Sequence, residues 1–268
     1  MTPKFTLSFL TVAPIGPLEM LLLAEKVGYY AIAVRPFPLI PGGDFAPFMD
    51  DPALVRETIS RSKQTGISIY DVEGIRLNDQ YRRGIFDRFL AVGGELGAQV
   101  LSVICDDPDE KRLTDSFAGL CDDAAPYHLT VSLEFMPYSM VPDFKHALRV
   151  IRGAQRPNAR IILDFLHVHR SHMSNEEIAA IPPGCLSHAQ LCDAPAQIPT
   201  SRDELVHTAR YARLLPGSGG IDVRGMFEAL PEDLPLSIEV PNIEQRNLVG
   251  AQEWARRSLL ATQKALET

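Results

Sequence analysis

The chain is short of positive charge: 26 lysines and arginines stand against 34 aspartates and glutamates, for a formal net charge of −8. The basic footprint that nucleic-acid binding leaves is therefore missing. Also missing is any apolar run of the roughly 20 residues needed to span a membrane. The opening MTPKFTLSFLTVAP carries one lysine and a short apolar segment, without the long apolar region and small-residue cleavage site of a signal peptide, and it reads as a first strand. Cysteine is scarce. Cys105, Cys121, Cys185 and Cys192 form no C-x-x-C pair and sit in or near apolar segments, as reduced thiols of a cytoplasmic protein do. No G-x-G-x-x-G opens a helix after the first strand, which argues against a dinucleotide-binding open sheet. No linker rich in proline, glycine and serine divides the chain, so residues 1–268 are expected to form one domain.

What is present is alternation. Strand-like runs (TLSFLTVA, YAIAVRP, ISIYDVEGIRL, QVLSVICDDPD, LTVSLEFMPYS, RIILDFLHVHR, CLSHAQLCDAP, LPLSIEVPN) are separated by helix-like segments. Pro17 and Gly28 bracket the first helix, and Asp51 with Pro52 opens the second. Eight βα units in about 250 residues is the count of a closed (β/α)8 TIM barrel, whose active sites lie at the C-terminal ends of the strands.

Four of those strand ends carry an oxygen ligand: Glu134, Asp164, Gln190 and Glu239, on strands five to eight. Side chains alternate across a strand, so one choice of parity in each can point all four inward. Three carboxylates held together in a low-dielectric site repel one another unless a cation joins them. Three carboxylates and an amide oxygen make a hard donor set, suited to one divalent ion, Mn2+ or Mg2+, with Co2+ or Zn2+ as tolerated substitutes. For each residue alone, a helix N-cap or a loop ion pair is the competing role.

The LEF at Glu134, the D-x-x-H of Asp164 and His167, the H-x-Q-x-x-D of His188, Gln190 and Asp193, the LPGSGGID at 215 to 222 and the IEV at Glu239 together resemble the xylose-isomerase-like TIM-barrel superfamily. Within it they are most similar to the hydroxypyruvate-isomerase branch and its sugar phosphate isomerase/epimerase relatives. The resemblance implies a metal on Glu134, Asp164, Gln190 and Glu239 and a substrate contact from His167. Two positions depart from the pattern. Ketose 3-epimerases of the superfamily have histidine where Gln190 stands, and the arginine expected soon after the seventh strand is absent from CDAPAQIP, leaving Arg202, Arg210 or Arg213 to replace it.

A cation that polarises a carbonyl makes the neighbouring C–H acidic and stabilises the enediolate that forms. Glu134 and Glu239 are the expected proton carriers, with His167 beside them. Two-base transfer gives epimerisation, transfer between adjacent carbons gives isomerisation, and loss of a β-hydroxyl gives dehydration. The expected function is a metal-dependent isomerase or epimerase of a small sugar or hydroxy-keto acid. A dehydratase of cyclic-polyol or dehydroshikimate type is the alternative. An endonuclease IV-like repair enzyme would need more histidine ligands and a DNA-binding surface, and a carbohydrate-binding protein would not need the carboxylates.

Arg35, Glu73 and Arg170 are the expected substrate contacts at the barrel mouth, where Arg76 also falls. Arg35 serves either as an anion anchor or as the partner of Glu73, and Arg170 either grips a carboxylate or phosphate or lies in solvent. His188 is read as supporting the site from one layer deeper, or as a core histidine. Asp193 either orients a ligand or caps a helix, and LLPGSGG either cradles a phosphate or turns between helices. Expected partners are the small-molecule substrate and, as an open question, a second copy of the chain, with no nucleic acid and no membrane.

Overall fold

The computed structural model describes residues 3–40 and 42–267; Met1, Thr2, Pro41 and Thr268, all inside the expected 1–268 domain, lie outside the described residues. Eight parallel strands close in chain order, with the last pairing back onto the first. They are β1 (Phe5–Leu7), β2 (Ala31–Val34), β3 (Ser68–Leu77), β4 (Val100–Cys105), β5 (Thr130–Glu134), β6 (Ala159–Asp164), β7 (Leu186–Leu191) and β8 (Leu236–Ile238). The helices around them are α1 (Phe9–Val12), α2 (Pro17–Val27), α3 (Pro52–Thr65), α4 (Asp87–Glu95), α5 (Glu110–Ala124), α6 (Phe144–Ala154), α7 (Phe165–Arg170), α8 (Asn175–Ala179), α9 (Arg202–Tyr211), α10 (Val223–Glu228), α11 (Ile243–Val249) and α12 (Ala251–Glu267). The expected (β/α)8 barrel is thus the observed fold. No helix among the described residues is long and apolar enough to cross a membrane.

The two faces of the strands differ in chemistry. Leu101 and Val103 of β4, Val131 and Leu133 of β5, Ile161 and Leu163 of β6, and Ala189 and Leu191 of β7 belong to one apolar core shared with the helices. Many of the alternate residues, among them Ser102, Ser132, Glu134, Asp164, His188, Gln190 and Ser237, are polar and fall outside that core, most of them fully buried, on the inner face of the barrel. Stability therefore rests on the sleeve between strands and helices, and the lumen is left free to carry polar groups.

Local signals set the ends of several elements. Asp51 accepts from the amides of Ala53 and Leu54 at the start of α3. Gly28 and Gly66 adopt left-handed backbone to close α2 and α3. Two expected runs end early. RIILDFLHVHR is strand only to Asp164; its side chain then accepts from the amides of Leu166 and His167, and FLHVHR winds into α7. TLSFLTVA likewise leaves the sheet after Leu7 and turns into α1. The C-terminal helix is divided at Gly250, whose positive φ separates α11 from α12.

Asp193, just past β7, organises the loop that follows. Its carboxylate accepts from the backbone amides of Ala194, Gly217, Gly219 and Ile221 at 2.8 to 3.0 Å. Gly217 and Gly219 supply amides that a phosphate bound in LLPGSGG would need, so the segment is a turn closed on an internal anion. Asp193 also exchanges both backbone hydrogen bonds with Leu214, while the amide of Arg213 donates to the Pro241 carbonyl beyond β8. Arg213 is thereby fixed between the ends of two neighbouring strands. A methyl group at Gly219 would collide with the Ala194 carbonyl and the Asp193 carboxylate.

Asp193→Ala leaves four amides without their acceptor, two of them (Ala194 and Ile221) buried, and is expected to destabilise the fold by about 2 kcal/mol or more, given the cost of unpaired buried donors. Denaturant unfolding measures this, and a loss below about 1 kcal/mol would mean that the loop is held by something else.

Candidate metal centre

The ends of β5 to β8 bring together Glu134, Asp164, Gln190 and Glu239, the four side chains expected to converge. Ligand atoms of Glu134, Asp164 and His167 lie within 4.8 Å of one another. Glu239 joins the group through Gln190, whose Nε2 lies 3.4 Å from its Oε1. All but Glu134 are essentially closed to solvent.

Arg213 lies among them and bridges two of the carboxylates. Its Nη1 donates to Asp164 Oδ2 at 2.6 Å and its Nη2 reaches Glu239 Oε2 at 3.0 Å, while its Nε donates to the Ala209 carbonyl. Glu239 Oε1 also accepts from Ser8 Oγ at 2.7 Å. Glu73 carries the second ion pair: Arg35 Nε donates to its Oε2 at 3.0 Å, and the Arg35 guanidinium packs over the Phe9 ring. Of Arg35's two expected roles the structure adopts the ion pair. Arg170 is drawn elsewhere. It is buried in α7, with Nη1 donating to the Gln197 carbonyl, and it does not line the cavity at the barrel mouth.

Glu134 differs from the other acids. Its single side-chain partner among the described residues is His167, whose Nε2 lies 3.5 Å from Oε1, and its side chain keeps 17% exposure toward the cavity. The His167 ring rests edge-on against Tyr138, 5.7 Å between centroids, and its Nδ1 is buried without a partner. His188, one layer down, packs edge-on to Tyr70 and meets Ser187 Oγ through Nδ1 at 3.0 Å. Burial lowers its pKa to about 4, so it is a neutral prop beneath the site.

The charges of the ion-paired carboxylates can be balanced against the arginines. Glu73, Glu134, Asp164 and Glu239, if ionised, supply four negative charges, and Arg35 and Arg213 return two positive ones. Two negative charges remain, the complement of one divalent cation. Burial pushes Glu239 up to about 8 in spite of Arg213, with Glu134, Glu73 and Asp164 adding to the rise. Burial acts on Asp164 in the same direction, but Arg213, His167 and the amides of α7 outweigh it and hold the group below the usual carboxylate range. Gln190 Oε1 is buried with no hydrogen-bond partner among the described residues. A carboxylate offers about four lone-pair sites, and Asp164 and Glu239 each use no more than three. Glu134, Asp164 and His167 thus present ligand atoms close enough to share one divalent ion, and the Gln190 Oε1 and the Glu239 carboxylate beside them are further oxygen donors. Sequence reasoning named Arg213 only as one of three arginines for a vacant position; the acidity of the cluster is the signal that would have called it inward.

The cavity above the centre is lined by Arg35, Glu134, Tyr138, His167, Arg213 and Glu239, with Leu39, Ile40 and Met136 among its apolar walls.

Among characterised proteins, the chain is 27% identical over 162 residues to a 3-dehydroshikimate dehydratase of Pseudomonas aeruginosa; the match covers 59% of this chain and 25% of that protein. Among solved structures it superposes on the IolI protein with a bound zinc atom (TM-score 0.78, 19% identity, 98% of both chains). It also superposes on AsbF of Bacillus anthracis, a probable 3-dehydroshikimate dehydratase (0.75, 14%, 99% of both), and on D-psicose 3-epimerase of Clostridium cellulolyticum H10 (0.76, 14%, 99% of this chain and 100% of that one). At these identities the superpositions establish the fold alone. Residues 21–264 match the family model of the xylose isomerase-like TIM barrel, and the chain belongs to that family.

Proposed function

We propose that this chain is a divalent-metal-dependent dehydratase that removes a proton beside a carbonyl and expels the β-hydroxyl as water. The observation that carries this reading is the inequality among the carboxylates. Glu239 has both oxygens engaged, by Ser8 and Gln190 on one side and Arg213 on the other, whereas Glu134 faces the cavity with only His167 beside it. Epimerisation through two bases needs a second free acceptor on the opposite face of the substrate, and Glu239 is poorly placed to be one. A single base with an adjacent histidine suits elimination: Glu134 takes the C–H proton, the C–O bond breaks, and the Glu134–His167 pair returns a proton to the departing hydroxyl as it leaves as water. A bound divalent ion, Mn2+ or Mg2+ by its donors, would act as the Lewis acid that polarises the substrate carbonyl. Tyr138 and Met136 wall the cavity and limit the entry of bulk water.

The 27% identical dehydroshikimate dehydratase supports dehydration over the isomerisation first expected from sequence. Aldose-ketose isomerisation, in which one base carries a proton between adjacent carbons, remains the second reading, because it too needs only Glu134. Product mass separates them: dehydration lowers it by one water. The direct test strips the protein with chelator, restores Mn2+ or Mg2+ and follows 3-dehydroshikimate alongside a panel of ketoses. Metal-dependent loss of water is the expected result. Conversion at unchanged mass would replace the proposal with the isomerase, and turnover unaffected by chelator would remove the metal from it. Glu134→Gln is expected to lower turnover by about a hundred- to ten-thousand-fold, the usual worth of a general base, while the folded chain keeps its circular dichroism.

The charge balance also predicts a pH dependence for the metal-free protein. Glu239 holds its proton up to about pH 8 in the folded state and releases it near 4.5 when unfolded. Between those values the native state binds more protons, so stability is greatest at the acid end and falls as pH rises, by at most about 1.4 kcal/mol per pH unit. Asp71, driven upward by burial and then by Glu73, contributes with the same sign. Denaturant unfolding at pH 5, 6, 7 and 8 in chelator should show the decline, and saturating Mn2+ or the Glu239→Gln substitution should flatten it. Stability that rises over this window in chelator would contradict the assigned charge state.

A further inference from the structure

A second chamber opens beside the first, and its charge has the opposite sign. It has a volume of about 250 Å3 and is lined by Arg76, Arg202 and Arg210 with Asp106, Ser139 and Val206; Ile40, Ile104, Met136, Tyr138 and Arg210 border both chambers. Arg202, Val206 and Arg210 recur every fourth residue of α9 and so share one face of the helix. Across the space from α9, Arg76 at the end of β3 is paired with Asp106 just past β4. Among the described residues, neither Arg202 nor Arg210 has a carboxylate within ion-pair distance. Three guanidiniums thus face one carboxylate. Burial, followed by the repulsion of Arg210 and Arg202, lowers the pKa of Arg76, the mark of cations gathered without enough counter-charge.

We propose that this chamber is the subsite for an oxyanion carried by the substrate, a carboxylate or a phosphate, held by Arg210 and Arg202 with Arg76 behind them. The inference rests on the barrel mouth being the substrate site of the proposed enzyme, and it adds the substrate's class: a small hydroxy-carbonyl compound with an anionic group at its far end. Arginine suits the task because its planar fork binds two oxygens of a carboxylate or phosphate at once. Arg210 borders both chambers, so it can reach a group attached to a molecule whose carbonyl lies over Glu134. The excess of two positive charges attracts anions and gives a neutral sugar no such gain, so the chamber selects by charge. Arg35, the anion anchor first considered, is neutralised by Glu73 and leaves this role to α9.

The test uses the full chain loaded with Mn2+ and titrated by calorimetry with inorganic phosphate and, separately, with benzoate at low ionic strength. Wild type is compared with Arg210→Gln and with the Arg202→Gln/Arg210→Gln double variant. One of the two anions is expected to bind saturably, and the double variant to weaken it at least tenfold while Mn2+ affinity stays unchanged. Tighter phosphate binding identifies a phosphorylated substrate, and tighter benzoate binding a carboxylic acid. Failure of both anions to bind wild type, or binding by the double variant equal to wild type, overturns the subsite. The dehydratase reading fails separately, through absence of water loss from any substrate while anion binding persists.

Discussion

The site depends on how buried negative charge is neutralised. Glu73, Glu134, Asp164 and Glu239, gathered at the mouth of the barrel, would repel one another by several kcal/mol at the effective dielectric of a protein interior. Arg35 neutralises Glu73, and Arg213 is shared by Asp164 and Glu239. What these arginines leave uncompensated is concentrated on Glu134 and the shared edge of Glu239, which is where a divalent ion can be drawn in. Had two further arginines entered the lumen, the charge of these four carboxylates would close without a cation and the centre would be a structural ion-pair network.

That balance depends in turn on backbone that is remote in sequence. Arg213 reaches the ligands because Leu214 pairs with Asp193 and because the Arg213 amide is tied to Pro241, which fixes the segment across the ends of β7 and β8. Asp193 sustains this geometry by closing the amides of Gly217, Gly219 and Ile221 from the glycine turn, together with that of Ala194, onto its carboxylate. The Asn242 side chain donates to the Arg213 carbonyl, and its own oxygen caps α11. The same few residues after β7 and β8 therefore build the loop, aim the counter-ion and start the last helices. The ion-pair geometry at the centre is inherited from ordinary capping and turn hydrogen bonds.

The barrel was legible in the sequence because eight apolar runs alternate with helical ones, and the convergence of Glu134, Asp164, Gln190 and Glu239 followed from strand parity alone. Each lies at the same relative place on neighbouring strands, and a parallel barrel leaves little freedom to separate them. Side chains on loops and short helices escaped such reasoning. FLHVHR reads as strand from its apolar residues, yet the cap from Asp164 turns it into α7 and carries Arg170 under the surface to Gln197. LLPGSGG has the composition of a phosphate cradle, but an aspartate elsewhere in the chain already occupies its amides. Arg213 was invisible as a counter-ion because its position is set by pairing between segments that no local periodicity records. Periodicity reports which face a residue takes within its own element; it does not report which distant group has already claimed a donor.

The two chambers together define a polarised mouth. The inner one holds excess negative charge under Glu134 and Glu239, and the outer one holds excess positive charge along α9, with Tyr138 and Met136 on their common wall. In a chain of net charge −8, the basic lining of the outer chamber runs against the overall sign and favours an approaching anion there. A molecule with an oxyanion at one end and a hydroxy-carbonyl at the other is then oriented before it touches Glu134. Orientation of this kind lowers the barrier without any new contact at the reacting carbon, since the freedom lost in aligning the substrate is offset by binding at the remote group. On the proposed reading, this division of labour would also account for the modest polar equipment of the inner chamber: with the far end held by arginines, a single base, one histidine and the cation site would suffice to distinguish the carbon that loses its proton.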